Sequence, residues 1–172
     1  AAFFKAIMNE MGIEKPLHLF DTFGVIPTAN LSMKKDGDFV RELRLDAAPQ
    51  KGGYRAVVEN LLQHFGLSDH VFIHEGDITA TNIQGLPPDI SLLHLDVDFY
   101  EPTLSALQLF YDRVLPGGKI IVDDYYLPLV ACREAVNDFM DDRGFCAEKV
   151  VDRFSSYAAI FTKPGFRDDS RC

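Results

Sequence analysis

Two stretches of the sequence, LHLDVDFYEPT at residues 93–103 and KIIVDDYY at residues 119–126, decide the predicted fold. In each stretch an apolar run ends abruptly in aspartates. These residues are Asp96, Asp98, Asp123 and Asp124. Continuous apolar runs without polar alternation are typical of strands covered on both faces, as in parallel sheets. The two stretches therefore predict neighbouring strands that present carboxylates where they leave the core.

Carboxylates that are brought together repel one another, so such a cluster costs stability unless a positive charge lies among them. Aspartate is common in turns and at helix starts, and each of these residues taken singly is more often structural than functional. The Asp123–Asp124 pair does not have the sequence of an ordinary polar turn, because Tyr125 and Tyr126 follow it in place of glycine or serine. Together with Asp96, the pair predicts a site for magnesium or calcium, which take hard oxygen ligands.

Strand and helix patterns alternate along the rest of the chain. The predicted helices cover residues 1–11, 52–67, 101–114 and 128–144, and the predicted strands cover residues 16–21, 70–77, 90–96, 119–124, 148–152 and 156–163. LPGG at residues 115–118 is predicted as a turn, and residues 22–50 have no strong period, which is uncommon unless such a segment is functional or partly helical. The alternation favours an α/β fold with a mostly parallel sheet between helices.

Length, net charge and cysteine content indicate what kind of protein this is. The chain has 172 residues, of which 47% are hydrophobic, and no composition shift marks a second domain, so a single domain is predicted. The net charge of -9 argues against nucleic acid or an acidic membrane as the main partner. No apolar run approaches the roughly 20 residues that span a bilayer. Three cysteines without a CxxC pair favour a reducing compartment and predict a cytoplasmic protein.

In parallel α/β sheets, ligands bind beyond the carboxyl ends of the strands. Aspartates occur at or just past several predicted strand ends. They are Asp21, Asp77, Asp96, Asp123 and Asp124. The agreement between their positions and the predicted topology indicates a binding site along this edge of the sheet.

The segments HLDVDFYEPTLSAL, LPGGKIIVDDYY and ACREAVNDFMDDRGF resemble the second half of the macrocin O-methyltransferase family, and LHLFDTFGVIP resembles an upstream strand of it. The resemblance implies a Rossmann-like methyltransferase fold, a three-layer sandwich whose mostly parallel sheet has an antiparallel closing strand. It also implies the cofactors S-adenosylmethionine and magnesium, and a hydroxyl of a vicinal diol, sugar or other small natural product as the methyl acceptor.

The resemblance assigns roles to particular residues of this sequence. Asp96, Asp123 and Asp124 would be the metal ligands, and Asp96 would also contact the cofactor and act in catalysis. Asp21 would accept hydrogen bonds from the ribose hydroxyls of S-adenosylmethionine. The adenine ring would lie against Gly76, Asp77 and Ile78.

The sequence also departs from the family pattern. A histidine that often serves as general base is absent between Val25 and Gln63, so proton removal falls to Asp96 or to a metal-activated path. The glycine-rich turn that follows the first strand is absent as well, because the sequence opens within the next helix. We therefore expect a strand and a glycine-containing turn upstream of Ala1, and weak binding of S-adenosylmethionine by residues 1–172 alone.

Two other functions are compatible with these residues. The Asp96-Val97-Asp98 triplet has the DxD form with which many glycosyltransferases hold a metal bound to a nucleotide-sugar diphosphate. The second strand end, KIIVDDYY, is not required in such enzymes and discriminates against them. A non-catalytic binding domain with the same fold is the other alternative, and assembly into homo-oligomers is left open.

Overall fold

The computed structural model describes residues 2–24, 26–28, 30–45, 53–80, 85–145 and 151–164. The helices are α1 (Ala2–Glu10), α2 (Lys34–Leu43), α3 (Tyr54–His64), α4 (Tyr100–Phe110) and α5 (Cys132–Asp142). The strands are β1 (Leu17–Asp21), β2 (Val71–Glu75), β3 (Ile90–Leu95), β4 (Val114–Val122), β5 (Val151–Arg153) and β6 (Ala159–Thr162). The chain divides into two compact units, Ala1–Pro27 with Ala47–Ile83 and Thr28–Asp46 with Gln84–Cys172.

In the first unit, β1 and β2 form a parallel pair in which Leu17 lies opposite Val71 and Asp21 lies opposite Glu75. The helices α1 and α3 belong to the same unit. Helix α1 ends at Glu10, and Gly12 just beyond it has a φ of 66°, a left-handed conformation that glycine adopts without steric cost. The first unit thus holds two adjacent parallel strands whose carboxyl ends meet at one edge.

Aromatic side chains stack across the parallel pair of the first unit. The ring of His74 lies 4.3 Å from that of Phe20 and 5.2 Å from that of His18, centroid to centroid. His18 Nδ1 and His74 Nε2 are 3.0 Å apart, and burial lowers the pKa of both histidines. Stacking between neighbouring strands of this kind stabilises one register of the pair.

In the second unit the strand order is β3-β4-β6-β5. Strands β3 and β4 are parallel, whereas β6 pairs antiparallel with both β4 and β5. This arrangement confirms the predicted α/β class and the antiparallel closing strand. Helices α4 and α5 pack on each other, and the core residues Leu107 of α4, Ile120 of β4 and Val136 of α5 have no exposed surface.

The turn predicted at residues 115–118 is wrong, because β4 runs through it from Val114 to Val122. Gly117 has a φ of 81°, and its N–H donates to Lys163 O at 3.0 Å. A Cβ on Gly118 would lie 2.8 Å from Leu115 O, so this position requires glycine. The two glycines let an irregular stretch of strand stay paired, at the cost of a register shift between Ile90 and Leu92 of β3.

Helix α2 lies within residues 22–50, where the sequence has no clear period. Gly37 stands in its interior, which lowers intrinsic helix propensity, and Val40 is its one buried apolar residue among those described. Tertiary contacts therefore hold this helix. Within the part of the chain that the structure describes, no helix has the length and apolar character needed to cross a membrane.

Candidate active site

Three carboxylates come together at the carboxyl ends of β3 and β4. Asp96, Asp98 and Asp124 each offer an oxygen, and these oxygens all lie within 4.8 Å of one another. The strand ends are aligned by the parallel ladder, since Asp123 N–H donates to Leu95 O at 2.9 Å. We call Asp96, Asp98 and Asp124 the acid cluster.

Two members of the acid cluster adopt an unusual backbone conformation. Asp98 has a φ of 58° and Asp124 has a φ of 54°, both in the left-handed region. For a residue other than glycine this conformation costs roughly 1 to 2 kcal/mol, although aspartate tolerates it better than most. Tight turns enclose both residues, with Phe99 N–H donating to Val97 O at 2.6 Å and Leu127 N–H to Asp124 O at 2.8 Å. Strain of this kind concentrates at functional sites.

The acid cluster is electrostatically unfavourable without a cation. Burial raises the pKa of Asp98 to about 6, and the charges of Asp96 and Asp124 and a hydrogen bond with Asp124 contribute in the same direction. Burial, followed by the charges of Asp124 and Asp98, also raises the pKa of the Cys132 thiol to about 12. The thiol is therefore protonated at neutral pH and unsuited to act as a nucleophile.

The position of Asp123 differs from that of its neighbour Asp124. Asp123 Oδ2 lies 3.2 Å from Nε2 of His94, a residue that is not packed in the core but has a 30% exposed side chain. Of the predicted ligands, Asp96 and Asp124 are thus brought together, Asp98 joins them, and Asp123 contacts His94. The sequence signal for Asp98 was its spacing from Asp96, the same DxD triplet considered above.

A helix-capping role, the structural alternative for Asp98, is not observed. Phe99, and not Asp98, occupies the N-cap position of α4, and the Phe99 side chain forms no cap hydrogen bond. The N–H of Tyr100 at the start of the helix instead donates to Asp36 Oδ2 at 2.9 Å. Asp98 therefore belongs to the acid cluster by geometry and is the site residue that sequence reasoning undervalued.

The residues predicted to contact the cofactor lie at the strand ends of the first unit, apart from Asp96. Asp21 is exposed, its Oδ1 accepts from Phe23 N–H at 2.7 Å, and its carbonyl accepts from Gly76 N–H at 3.0 Å. Asp21 and Gly76 are therefore neighbours. Asp77 Oδ1 accepts from both Thr79 N–H and Thr79 Oγ1 at 2.8 Å, which closes a local turn, and Ile78 is half-buried.

A Cβ built on Gly76 meets no atom within 4 Å. The backbone at this strand end is consequently open to close approach by a flat ligand. Whether Asp21, Gly76, Asp77 and Ile78 contact the cofactor stays a prediction.

Comparison with solved structures identifies the fold. The O-methyltransferase NovP superposes with a TM-score of 0.79 at 20% identity, over 95% of this chain and 66% of that chain. The calicheamicin methyltransferase CalS11 superposes with a TM-score of 0.68 at 21% identity, over 94% of this chain and 66% of that chain. At these identities the likeness shows the fold alone, and that fold is the Rossmann-like fold of S-adenosylmethionine-dependent methyltransferases.

Comparison with sequences identifies the family. Residues 1–160 match the family described as Macrocin-O-methyltransferase (TylF), so the chain belongs to the macrocin O-methyltransferase family. Mycinamicin III 3''-O-methyltransferase of Micromonospora griseorubida is 42% identical over 69 residues, which are 40% of this chain and 26% of that protein. A tetracenomycin rhamnosyl 4'-O-methyltransferase of Streptomyces olivaceus is 44% identical over 50 residues, which are 29% of this chain and 18% of that protein.

The family match confirms the predicted resemblance and favours methyl transfer over nucleotide-sugar transfer. The matched segments make up about a quarter or less of the two curated relatives.

Proposed function

We propose that the chain is part of an S-adenosylmethionine-dependent O-methyltransferase that acts on a hydroxyl group with the help of a bound divalent cation. The observation that carries the proposal is the acid cluster, located at the parallel strand ends of a chain that belongs to a family of O-methyltransferases. In this fold class, the carboxyl ends of the strands are where ligands bind.

A divalent cation fits the residues that are present. The acid cluster offers several carboxylate oxygens within reach of one small ion, which is the donor set that magnesium takes. Burial and the charges of Asp96 and Asp124 raise the pKa of Asp98, and a bound cation would offset both effects by stabilising the ionised carboxylate. When bound, the cation would orient the acceptor oxygen and lower its pKa. Asp96 and Asp124 would hold it, with the third carboxylate from Asp98 by geometry or from Asp123 by the family pattern.

Methyl transfer requires that the acceptor hydroxyl lose its proton as its oxygen forms a bond to the methyl carbon and the carbon–sulfur bond breaks. We assign the proton to a carboxylate of the acid cluster. The sequence pattern favours Asp96 as the catalytic residue. Asp98 is a second candidate, because its carboxylate lies in the same cluster as that of Asp96.

The cofactor would be held by the strand ends of the first unit, with the ribose hydroxyls of S-adenosylmethionine donating to Asp21. The adenine ring would lie beside Gly76, where the backbone allows close approach, with Asp77 and Ile78 at its border. The relatives named above are O-methyltransferases of natural products, and the name of the second includes a rhamnosyl group. We propose a hydroxyl of such a sugar as the acceptor.

Thermal shift and product analysis test the proposed function. We expect S-adenosylmethionine or S-adenosylhomocysteine, and not UDP-sugars, to raise the melting temperature of the purified protein. We also expect S-adenosylhomocysteine release with glycosylated natural products to require magnesium and to stop in EDTA. Stabilisation by UDP-sugars alone would favour the glycosyltransferase alternative, and EDTA-resistant turnover would remove the metal from the proposal.

A further inference from the structure

Asp36 is a fully buried carboxylate with no exposed surface, and the proposed function does not involve it. Its Oδ1 accepts from the backbone N–H of Ala131 at 2.7 Å, and its Oδ2 accepts from the backbone N–H of Tyr100 at 2.9 Å. The donors lie 95 and 64 residues away along the chain. One side chain therefore joins two segments that are distant in sequence.

Both donors stand at the start of a helix that has no capping side chain of its own. Tyr100 is the first residue of α4, and Ala131 is the N-cap residue of α5; the N-cap residues of these helices, Phe99 and Ala131, form no cap hydrogen bond with their own side chains. The first N–H groups of a helix have no partner inside the helix, and this end carries a partial positive charge. The carboxylate of Asp36 satisfies one N–H at each helix start.

The two helices follow the loops that carry the acid cluster. Asp96 and Asp98 lie between β3 and α4, and Asp124 lies between β4 and α5. Asp36 is thus bonded to the helix end of both loops, while the β3–β4 ladder fixes their strand ends. Each loop is held at both of its ends.

Further contacts anchor the segment that carries Asp36. Lys35 Nζ forms an ion pair with Glu134 Oε1 of α5 at 2.6 Å, and Ser32 N–H donates to Glu101 Oε1 of α4 at 2.6 Å. Burial raises the pKa of Asp36, and the bonds from Tyr100 and Ala131 act in the opposite direction. A buried carboxylate that lost these partners would be strongly destabilising, so the bonds to both helix starts are needed to keep it there.

We infer that Asp36 is a positioning residue, which fixes the two loops relative to each other and thereby sets the spacing of the acid cluster. The consequence for metal binding rests on the proposed function. The fixing of the loops does not, and it can be measured on the metal-free protein.

The first test compares Asp36→Asn with Asp38→Asn by hydrogen exchange of the full chain. Asparagine keeps the size of aspartate but turns an NH2 group toward one of the two N–H donors. Asp38 is a matched control, because it lies on the same helix with a 38% exposed side chain that pairs with Lys34. In Asp36→Asn we expect exchange to rise about 10-fold in the loop whose N–H faces the NH2 group, either residues 96–100 or residues 123–131, as for the loss of a hydrogen bond to a charged group. Unchanged exchange, or an equal rise along the whole chain, would overturn the inference.

A second variant keeps the test decisive if Asp36→Asn fails to fold. Tyr100→Pro removes the N–H that Asp36 Oδ2 accepts, at the first helical position, where proline is tolerated. Phe99, with φ of -90° and ψ of 163°, already has a conformation compatible with a following proline. Tyr100→Ala is the control, because it removes the side chain and keeps the N–H.

In Tyr100→Pro, we expect faster exchange at residues 96–99 and unchanged exchange at residues 123–130, whose bond from Ala131 to Asp36 is intact. Equal exchange in Tyr100→Pro and Tyr100→Ala would contradict a role for this hydrogen bond.

Calorimetric titration with MnCl2 then links loop position to metal binding. We expect Asp36→Asn to bind manganese about 10-fold more weakly than the parent protein, as for residues that orient metal ligands, and Asp38→Asn to bind it unchanged. Parent-like affinity in Asp36→Asn would show that Asp36 does not set the cluster spacing. If the parent protein bound no manganese, the proposed metal site would fail, and hydrogen exchange would still decide the role of Asp36.

Discussion

The strand ends of the first unit and those of the second unit both carry aspartates, yet the side chains are satisfied in different ways. In the first unit Asp21 accepts from the N–H of Phe23, and Asp77 accepts from Thr79, so each carboxylate has a donor within its own turn. In the second unit the carboxylates of the acid cluster face one another, and Asp98 has a pKa raised to about 6.

The surroundings of these aspartates indicate two different kinds of binding site, although the sequence has the same residue type at both. A carboxylate with local donors and an exposed oxygen suits hydroxyl groups, which donate hydrogen bonds without bringing charge. Carboxylates that crowd one another suit a cation, because a positive charge relieves the repulsion between their ionised forms. The neighbours of an aspartate, more than its place at a strand end, therefore indicate what it binds.

Replacing Asp124 by alanine should have the largest effect, because this residue belongs to both the geometric and the family-based ligand sets. We expect manganese affinity and magnesium-dependent turnover to fall by more than about 100-fold, beyond the loss typical of residues outside the ligand shell. The fold should persist, since the change also removes a repelling charge. Calorimetry and circular dichroism measure the two effects, and magnesium-dependent activity that survived the change would remove Asp124 from the site.

A comparison of Asp98→Asn with Asp123→Asn tests which of the two residues is the third metal ligand in the second unit. We expect Asp98→Asn to weaken manganese binding by about 10- to 100-fold and Asp123→Asn to weaken it less, because Asp123 contacts His94 and lies outside the acid cluster. Titration of both variants against the parent protein provides the ranking. The reverse ranking would restore Asp123 as the third ligand, as the family pattern implies.

Asp21→Ala tests the first unit. We expect the affinity for S-adenosylhomocysteine to fall by about 1.5 to 3 kcal/mol, the range for hydrogen bonds to a charged group, with manganese affinity unchanged. Asp21→Asn is the control, because it retains an acceptor for the Phe23 N–H and should lose less. Unchanged affinity in calorimetry would return Asp21 to a purely structural role at the end of β1.

The smallest expected effect is a pH dependence of stability in the metal-free protein. The pKa of Asp98 is raised from 3.8 to about 6 in the folded state, so folded protein binds the proton more tightly than unfolded protein does. Stability from Asp98 is therefore present at low pH and is lost as pH rises through about 6. Urea unfolding of the parent and of Asp98→Asn should show the variant gaining relative stability between pH 4 and 6.

If the difference in unfolding free energy between Asp98→Asn and the parent stayed constant from pH 4 to 6, the prediction of a raised pKa for Asp98 would be wrong. Added magnesium should diminish the difference, because a cation stabilises the ionised carboxylates that the parent protein retains.

Much of the second unit could be predicted from sequence, because continuous apolar runs, helical spacing and strand-end aspartates are local signals. The bounds of β3, α4 and α5 follow those signals within a few residues. Helix α2 could not be predicted, since Gly37 weakens its propensity and its stability comes from contacts with α4 and α5.

Within the site, Asp96 and Asp124 were predicted as partners, and they are brought together. Asp98 was underestimated because the pattern of aspartate before a helix also describes a cap. The bond from the Tyr100 N–H to Asp36, which leaves Asp98 without that role, comes from a residue 64 positions away. No short sequence window contains such information.

The two hydrogen bonds of Asp36 have a consequence for the order of folding. They close chain segments of 64 and 95 residues, and contacts between residues so far apart form only after large losses of chain entropy. The helices α4 and α5 can form from local interactions, but their starts receive the Asp36 carboxylate only when residues 36–131 have assembled. In refolding, we expect helical circular dichroism to recover before the capacity to bind manganese. The acid cluster would then acquire its geometry among the last steps, when the rest of the second unit is already compact.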